Sequence, residues 1–408
     1  MDATAPTDIR RIKGEEIARR FTIKQVRNGW MVPSQTRTVR YFVMLKHDHM
    51  TCTCPDFDMR HAKCKHIWAV EITLSKQTKN GKTTITKTVK ATYSQDWQSY
   101  DQAKTHEKEL FLKLLNDLCN SIPNPEYIFG RPKLPLSDMV FASALKVYST
   151  FSLRRFVSDM TIAKEKGLID KVPHYSTVAL YMENPDLTPV IMNLIIKSSL
   201  PLKSVETDFA IDSSGFSTCR FDRWFSMKYG KYKSFKAWIK TNMVCGVKTN
   251  IITSVKITES YEHDTLQFKE LISKTAENFD LKEVSADKAY SSKDNLEFVN
   301  DLGGTAYIPF KSNTVVKARQ PKLWKKMYHF FMFQREEFME HYHKRSNAET
   351  VFHMLKSKFG DSVRSKTKTA QINEVLLKVL CHNICVVIQE IHELGIEPIF
   401  AVEKVGGV

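Results

Sequence analysis

Val205-Glu-Thr-Asp-Phe-Ala-Ile-Asp212, followed by Ser213-Ser-Gly215, is the stretch on which the fold turns: a strand-like run that ends on a carboxylate. The Ser-Ser-Gly that follows predicts a strand giving way to a turn. Residues 238–247 and 251–258 read as two further strands, with residues 246–250 supplying the turn between them. An amphipathic helix is expected over residues 264–279, with Leu266, Phe268, Leu271 and Ile272 as its apolar positions. Lys282-Glu-Val-Ser-Ala-Asp287 is the next strand, and it too delivers a carboxylate at its end. Residues 295–302 read as a helix, and residues 305–310 as a short strand whose Pro309 suits an edge position. Hairpin-like strands followed by alternating helices and strands predict a mixed α/β sheet with helices on its faces.

A third acid sits in residues 342–356, Tyr-His-Lys-Arg-Ser-Asn-Ala-Glu-Thr-Val-Phe-His-Met-Leu-Lys, which lack Gly and Pro and read as one helix. At about 100° per residue, Tyr342, Arg345, Glu349 and Lys356 fall within an arc of roughly 60°. Val351, Phe352, Leu355 and Phe359 occupy an adjoining arc, so one side of the helix packs inward and the polar stripe faces a cleft. A solvated face carrying two surface salt bridges is the ordinary alternative for such a stripe. Carboxylates from two strand ends and one helix suit phosphodiester chemistry, because hard cations prefer carboxylate oxygens and two Mg²⁺ about 4 Å apart serve both the attacking and the leaving oxygen. Arg345 and Lys356 are suited to phosphate contact, the guanidinium bidentately.

At these residues the chain resembles the DDE transposases of bacterial and archaeal insertion sequences. The family's helix signature, Tyr, two residues, Arg, three residues, Glu, six residues, Lys, is matched at every spacing by Tyr342, Arg345, Glu349 and Lys356. Asp212 in Ile-Asp-Ser-Ser-Gly and Asp287 in Ser-Ala-Asp-Lys-Ala-Tyr are similar to the first and second family acids, and Glu262-His-Asp-Thr265 to a His-Asp motif of many members. The resemblance covers residues 201–390 and implies an RNase H-like catalytic domain in which Asp212, Asp287 and Glu349 hold Mg²⁺ or Mn²⁺. It further implies cleavage of double-stranded DNA at element ends by water attack, joining of the 3′-hydroxyl to target DNA, and a homodimer on paired ends. Neighbouring residues compete for roles: Asp208 ranks second for the first ligand, His263 suits helix capping, Asp264 suits an N-cap rather than a metal ligand, and Lys288 and Tyr290 suit a solvated strand end rather than a DNA contact. A domesticated, non-catalytic DNA-binding regulator and a nonspecific nuclease are the alternative functions. Flanking inverted repeats in the genome separate the first, and a strand-transfer assay the second.

The amino-terminal region carries Cys52-Thr-Cys54, nine residues, then Cys64-Lys-His66. Three thiolates and one imidazole satisfy tetrahedral Zn²⁺ without an open position, which predicts a structural site. The pattern resembles the SWIM zinc finger, and implies a small ββα module that binds DNA or protein. Cys119, Cys219, Cys245, Cys381 and Cys385 are expected to be buried thiols.

Composition agrees with a nucleic-acid protein of several domains. The 408 residues carry a formal charge of +16, which favours a polyanionic partner, and 42% hydrophobic content suffices for real cores. With no signal peptide and no apolar run near a membrane span, a cytoplasmic, nucleoid-associated protein without membrane or disulfides is expected. The expected organisation is a zinc module over 1–75, a Thr/Lys-rich linker or ribbon over 76–100, and a helical DNA-binding region over 101–200. The catalytic domain then spans 201–390 with an insertion at 311–341, and a tail spans 391–408. Within the helical region, residues 167–177 separate two helices, the second capped by Ser176 or Thr177; a helix-turn-helix reader and a plain packing domain both fit. In the insertion, ordinary packing or phosphate contact is favoured over stacking of Trp324 on a displaced base.

Overall fold

The structure is a computed structural model that describes residues 9–400 except 27–28, 36–38, 47–48, 61, 80–81, 88–95, 124–128, 130–133, 219–227, 229–237, 312, 316, 318 and 399. Cys219 and the end of the tail fall outside the described residues. The chain forms two compact units, Met1–Gln95 and Asp96–Val408.

In the first unit, β1 (Lys24–Val26), β2 (Gly29–Pro33), β3 (Arg40–Lys46) and β4 (His49–Cys52) make an antiparallel sheet in sequential order. This is a larger sheet than the expected ββα module, and a helix at Ile9–Arg20 precedes it. That helix crosses the helix Lys65–Thr73 at Gly14, where a Cβ would lie 2.5 Å from Trp68 Cβ and 2.9 Å from the Lys65 carbonyl oxygen. Any larger residue there would push the two helices apart. Ile17, Val32, Val43, Ile67 and Val70 form the core together with Cys52, Cys54 and Cys64. β5 (Leu74–Lys79) and β6 (Lys82–Lys87) then pair as a two-stranded antiparallel ribbon.

In the second unit, β7 (Asp208–Ser217), β8 (Trp238–Gly246), β9 (Ile252–Thr258), β10 (Glu283–Ala286) and β11 (Thr305–Tyr307) form one sheet in the order β11-β10-β7-β8-β9. β7 to β9 are antiparallel neighbours, whereas β10 and β11 run parallel to β7, so the sheet is mixed as expected. The turn expected after Asp212 is absent. Ser213, Ser214 and Gly215 continue the ladder against Asn242, Thr241 and Lys240, because β8 is long enough to pair with them. At Gly215 a Cβ would come within 3.2 Å of the Trp238 ring, so this glycine permits close packing rather than a bend.

Alternation along β7 sends Phe209 and Ile211 to one core, and Ala210 and Phe216 to another. The first core lies under the helices Phe268–Ala276, Lys293–Asp301, Lys322–Phe333 and Arg335–Tyr342. Leu266, expected on the buried face of the first of these, sits instead in a 3₁₀ turn, Asp264–Gln267, and is 68% exposed. The expected insertion is helical, and Trp324 is buried in edge-to-face contact with Phe310 at 4.7 Å, which is the packing role.

The second core joins the sheet to the helices Ser346–Phe359 and Lys368–Leu394, and also to helices of the 101–200 region through residues such as Phe111, Leu145, Val178 and Ile195. The helix Tyr175–Met182 starts at His174, whose ring Nδ1 accepts from the Ser176 N–H, so the cap is His174 rather than Ser176 or Thr177. Lys368–Leu394 is a correction to the expectation of no span-like segment, since among the described residues it is long and apolar enough to cross a membrane. Within this fold 83% of its apolar window is buried, and Asn383 ties it to β9 by accepting from Ile252 N (2.9 Å) and donating to Ile252 O (2.8 Å).

The same helix buries Glu390, whose carboxyl is pushed up to about 7 by burial and by the neighbouring Glu393 and Glu206, against the pull of Lys248. A folded-state value above the unfolded one means that its stabilising contribution is complete below about 4.5 and is lost as pH rises through 7. Glu390→Gln is therefore expected to leave thermal stability near pH 5 unchanged and to raise the melting temperature by several degrees at pH 8.5. Melting curves at the two pH values check this; an equal effect at both would contradict it.

Candidate catalytic and metal centres

The last residue pair between β7 and β10 is Ile211 with Ala286. Asp212 and Asp287 are the next residue on each of these parallel strands, so continuing the register by one step sets them side by side, at the roughly 4.8 Å spacing of neighbouring strands. The carboxylate at Asp212 thus stands where β10 ends, although β7 itself runs on. Asp287 remains extended, and its carboxylate accepts from the Lys288 N–H at 2.6 Å.

The third acid arrives on a broken helix. Instead of one continuous helix over 342–356, the helix Arg335–Tyr342 gives way to a 3₁₀ turn at His343–Arg345 before the helix Ser346–Phe359 begins. A charge network accounts for the break. Lys344 donates to Asp208 (2.6 Å) and Glu283 (2.7 Å), and the His341 ring meets Glu283 at 2.9 Å while stacking on Tyr307. Tethered to β7 and β10 in this way, the turn lifts Arg345 over the sheet end. Its guanidinium donates to Asp212 Oδ2 at 2.8 Å and also ion-pairs with Glu349. Asp208 is paired with Lys344, whereas Asp212 faces Arg345.

Burial pushes the Asp212 carboxyl above its ordinary value; the Ser213 N–H and Arg345 oppose the shift, while Glu349 and Asp287 add to it. Asp287 and Glu349 are thus both near enough to Asp212 to act on it electrostatically. Glu349 is 59% exposed on its side chain and is the solvent-facing member of the set. Lys356 does not project into solvent: its ammonium donates to Ser214 Oγ at 2.7 Å and lies 5.5 Å above the Phe216 ring. Ser214 shares the strand face of Asp212, two residues on, a periodicity by which the sequence could have revealed it. Tyr342 packs at the margin of the first core.

Two capping expectations fail. His263 occupies the cap position of the 3₁₀ turn without a side-chain cap hydrogen bond, and Asp264 pairs with Lys240 at 2.6 Å. Tyr290 is also not at a solvated strand end; it is 1% exposed.

In the first unit, Cys52, Cys54, Cys64 and His66 are all buried, with potential ligand atoms within 4.8 Å of one another. Among the described residues this is the one such metal-ligating set; Asp212, Asp287 and Glu349 are less tightly gathered, with Arg345 between two of them. Cys64 Sγ stands 3.9 Å from His66 Nδ1, close to the roughly 3.6 Å between two ligands of a tetrahedral zinc with bonds of about 2.3 and 2.0 Å. The Cys64 thiol is pulled down, chiefly by a hydrogen bond from Cys52, a direction that favours the thiolate form a zinc ligand needs. The donor chemistry and spacing fit zinc.

Residues 203–384 match the transposase DDE domain family, and residues 41–75 match the SWIM zinc finger family. No curated protein and no solved structure matches the chain.

Proposed function

We propose that the protein cleaves phosphodiester bonds at insertion-sequence ends by water attack and joins the 3′-hydroxyl to target DNA, a reading supported by the match of residues 203–384 to the transposase DDE domain family and of residues 41–75 to the SWIM zinc finger family. The observation that carries this reading is the parallel register that sets Asp287 beside Asp212, with Arg345 linking Asp212 to Glu349. Asp212, Asp287 and Glu349 would hold Mg²⁺ or Mn²⁺. Bound there, such ions activate the attacking oxygen and relieve charge on the leaving one. The donor set fits: hard carboxylate oxygens that repel one another around a single guanidinium are a charge deficit a divalent cation relieves. Arg345 would contact a phosphate of the DNA, which its planar fork suits bidentately. Tyr342 supports the turn that carries Arg345. We further propose that the acting species is a homodimer on paired ends and that it works in the cytoplasm at the nucleoid. Domain limits are proposed as 1–75 for the zinc module, 101–200 for a helical region that contributes to DNA binding, and 201–390 for the catalytic domain.

The ion pairs of Arg345 with two of the acids also suit a binding-only regulator, in which they would simply neutralise the sheet end. A reaction of the purified protein with the element's ends, Mg²⁺ and a target plasmid separates the readings. Joined products support the transposase, and bound but uncut ends support the regulator. Lys356, with its ammonium seated beside Asp212's strand, is expected to contact one phosphate. Lys356→Met should weaken DNA binding and lower the slope of log affinity against log salt by about one. An unchanged slope would remove Lys356 from the DNA contacts.

A further inference from the structure

The helix Ser346–Phe359 carries both Glu349 and Lys356, yet it begins at Arg345 without a side-chain cap hydrogen bond. Its buried residues Ala348, Val351, Phe352 and Leu355 hold it in the core, but apolar burial is non-directional and by itself sets rotation and height only loosely. Among the described residues Glu349 ion-pairs with Arg345 alone, four residues before it, so its place opposite Asp212 is inherited from the helix backbone. Asn347 supplies the missing direction. Its amide Nδ2 donates to the Val247 carbonyl oxygen at 2.6 Å and to Asn250 Oδ1 at 3.2 Å. Both acceptors lie in the connection between β8 and β9, which is itself anchored from three sides. Glu206, 1% exposed, accepts from the N–H groups of Lys248 and Thr249 and from the Thr249 hydroxyl. The Val247 N–H donates to the Asp208 carbonyl at 2.9 Å. Asn250 has a left-handed φ of 66°, which asparagine tolerates, and its carbonyl accepts from His382 Nε2 at 3.0 Å.

We propose that Asn347 is a positioning residue of the catalytic centre, whose amide clamps the first turn of the helix Ser346–Phe359 to the β8–β9 connection and so sets the rotation and height at which Glu349 faces Asp212. The proposal rests on the reading of the three acids as cation ligands. Asn347 and Glu349 are two residues apart, about 200° around the helix, so the amide grips the anchored connection on one side while the carboxylate emerges on the other. A rotation of the helix that moved Glu349 would break both amide hydrogen bonds. Lys344 and Arg345 also tie this segment to the sheet, but through long side chains that precede the helix, whereas the short side chain of Asn347 lies within it. Helix propensity does not explain an asparagine here, since alanine is the better helix former.

Asn347→Ala tests this, because it deletes both hydrogen bonds and leaves a residue that favours the helix. Mn²⁺ affinity by calorimetry and melting temperature without metal would be measured on the full-length wild type, Asn347→Ala, Glu349→Gln and the double variant. The expected result is a Mn²⁺ affinity lowered about tenfold by Asn347→Ala, the size typical of groups that orient metal ligands, with the melting temperature within a few degrees of wild type. In the Glu349→Gln background the same substitution should lower affinity no further, as two residues that act through one carboxylate are not additive. Equal Mn²⁺ affinity in the wild type and Asn347→Ala would overturn the role of Asn347. So would an equal further loss in the Glu349→Gln background, which would show that it does not act through Glu349, and so would a melting temperature that collapses together with affinity, the mark of a purely structural amide. Absence of Mn²⁺ binding by the wild type would overturn the metal reading of the acids, and this proposal with it.

Discussion

Asp212→Asn and Glu349→Gln should each abolish cleavage at the element ends while leaving end binding measurable. Both substitutions preserve shape and remove one formal charge from a set in which Asp287 and Glu349 both act on Asp212. The amide oxygen introduced by Asp212→Asn would still accept from the Ser213 N–H, and Arg345 keeps its ion pair with Glu349, so the fold should persist. What is lost is the electrostatic hold on a divalent cation. Because each 1.4 kcal/mol costs tenfold in rate, losing several kcal/mol of charge stabilisation predicts a fall on the order of 10³-fold or more. Gel-shift and nicking assays on the same preparations separate binding from chemistry. Metal-dependent nicking at the wild-type rate by either variant would dismiss the catalytic assignment.

The second large effect concerns zinc. The combined substitution Cys54→Ser and Cys64→Ser should eliminate stoichiometric zinc and unfold the first unit, as should a strong chelator. Structural zinc contributes roughly 10–16 kcal/mol in small modules, more than a core of this size supplies alone. Here the ligands are also core residues: all three cysteines belong to the buried cluster with Ile17, Val43 and Ile67. Elemental analysis and circular dichroism of the protein before and after chelation read the outcome. Retention of full structure by a zinc-free protein would show that the four side chains are ordinary core residues.

Much of the centre is legible in the chain because it is built from short-range patterns. The run ending at Asp212, the strand that delivers Asp287, and the spacing from Tyr342 to Lys356 each announce themselves locally, as do the paired Cys-x-Cys and Cys-x-His. What cannot be read locally is decided by partners distant in sequence. Ser213-Ser-Gly215 has turn composition, yet β8 pairs with it and prolongs the strand. The Tyr342 to Lys356 segment has unbroken helical composition, yet Lys344 is bound to Asp208 and Glu283 on two strands and the helix tightens into a 3₁₀ turn there. Tyr290 follows an exposed-looking Asp-Lys-Ala, and only the packing of Phe268 and Asn295 around it makes it a buried residue. Likewise, Arg345 and Lys356 share the arc that periodicity predicts, but their partners, Asp212 and Ser214, are set by the sheet.

The central claim is that Asp212, Asp287 and Glu349 surround a common cation position, and iron-directed cleavage of the polypeptide tests it most directly. Fe²⁺ substituted for Mg²⁺, with ascorbate and peroxide, generates hydroxyl radicals that cut the backbone close to the bound ion. The account predicts cuts near residues 212, 287 and 349, suppressed by excess Mg²⁺ and lost in Asp212→Asn. Cuts confined to one of the three segments, or unaffected by Mg²⁺, would contradict it.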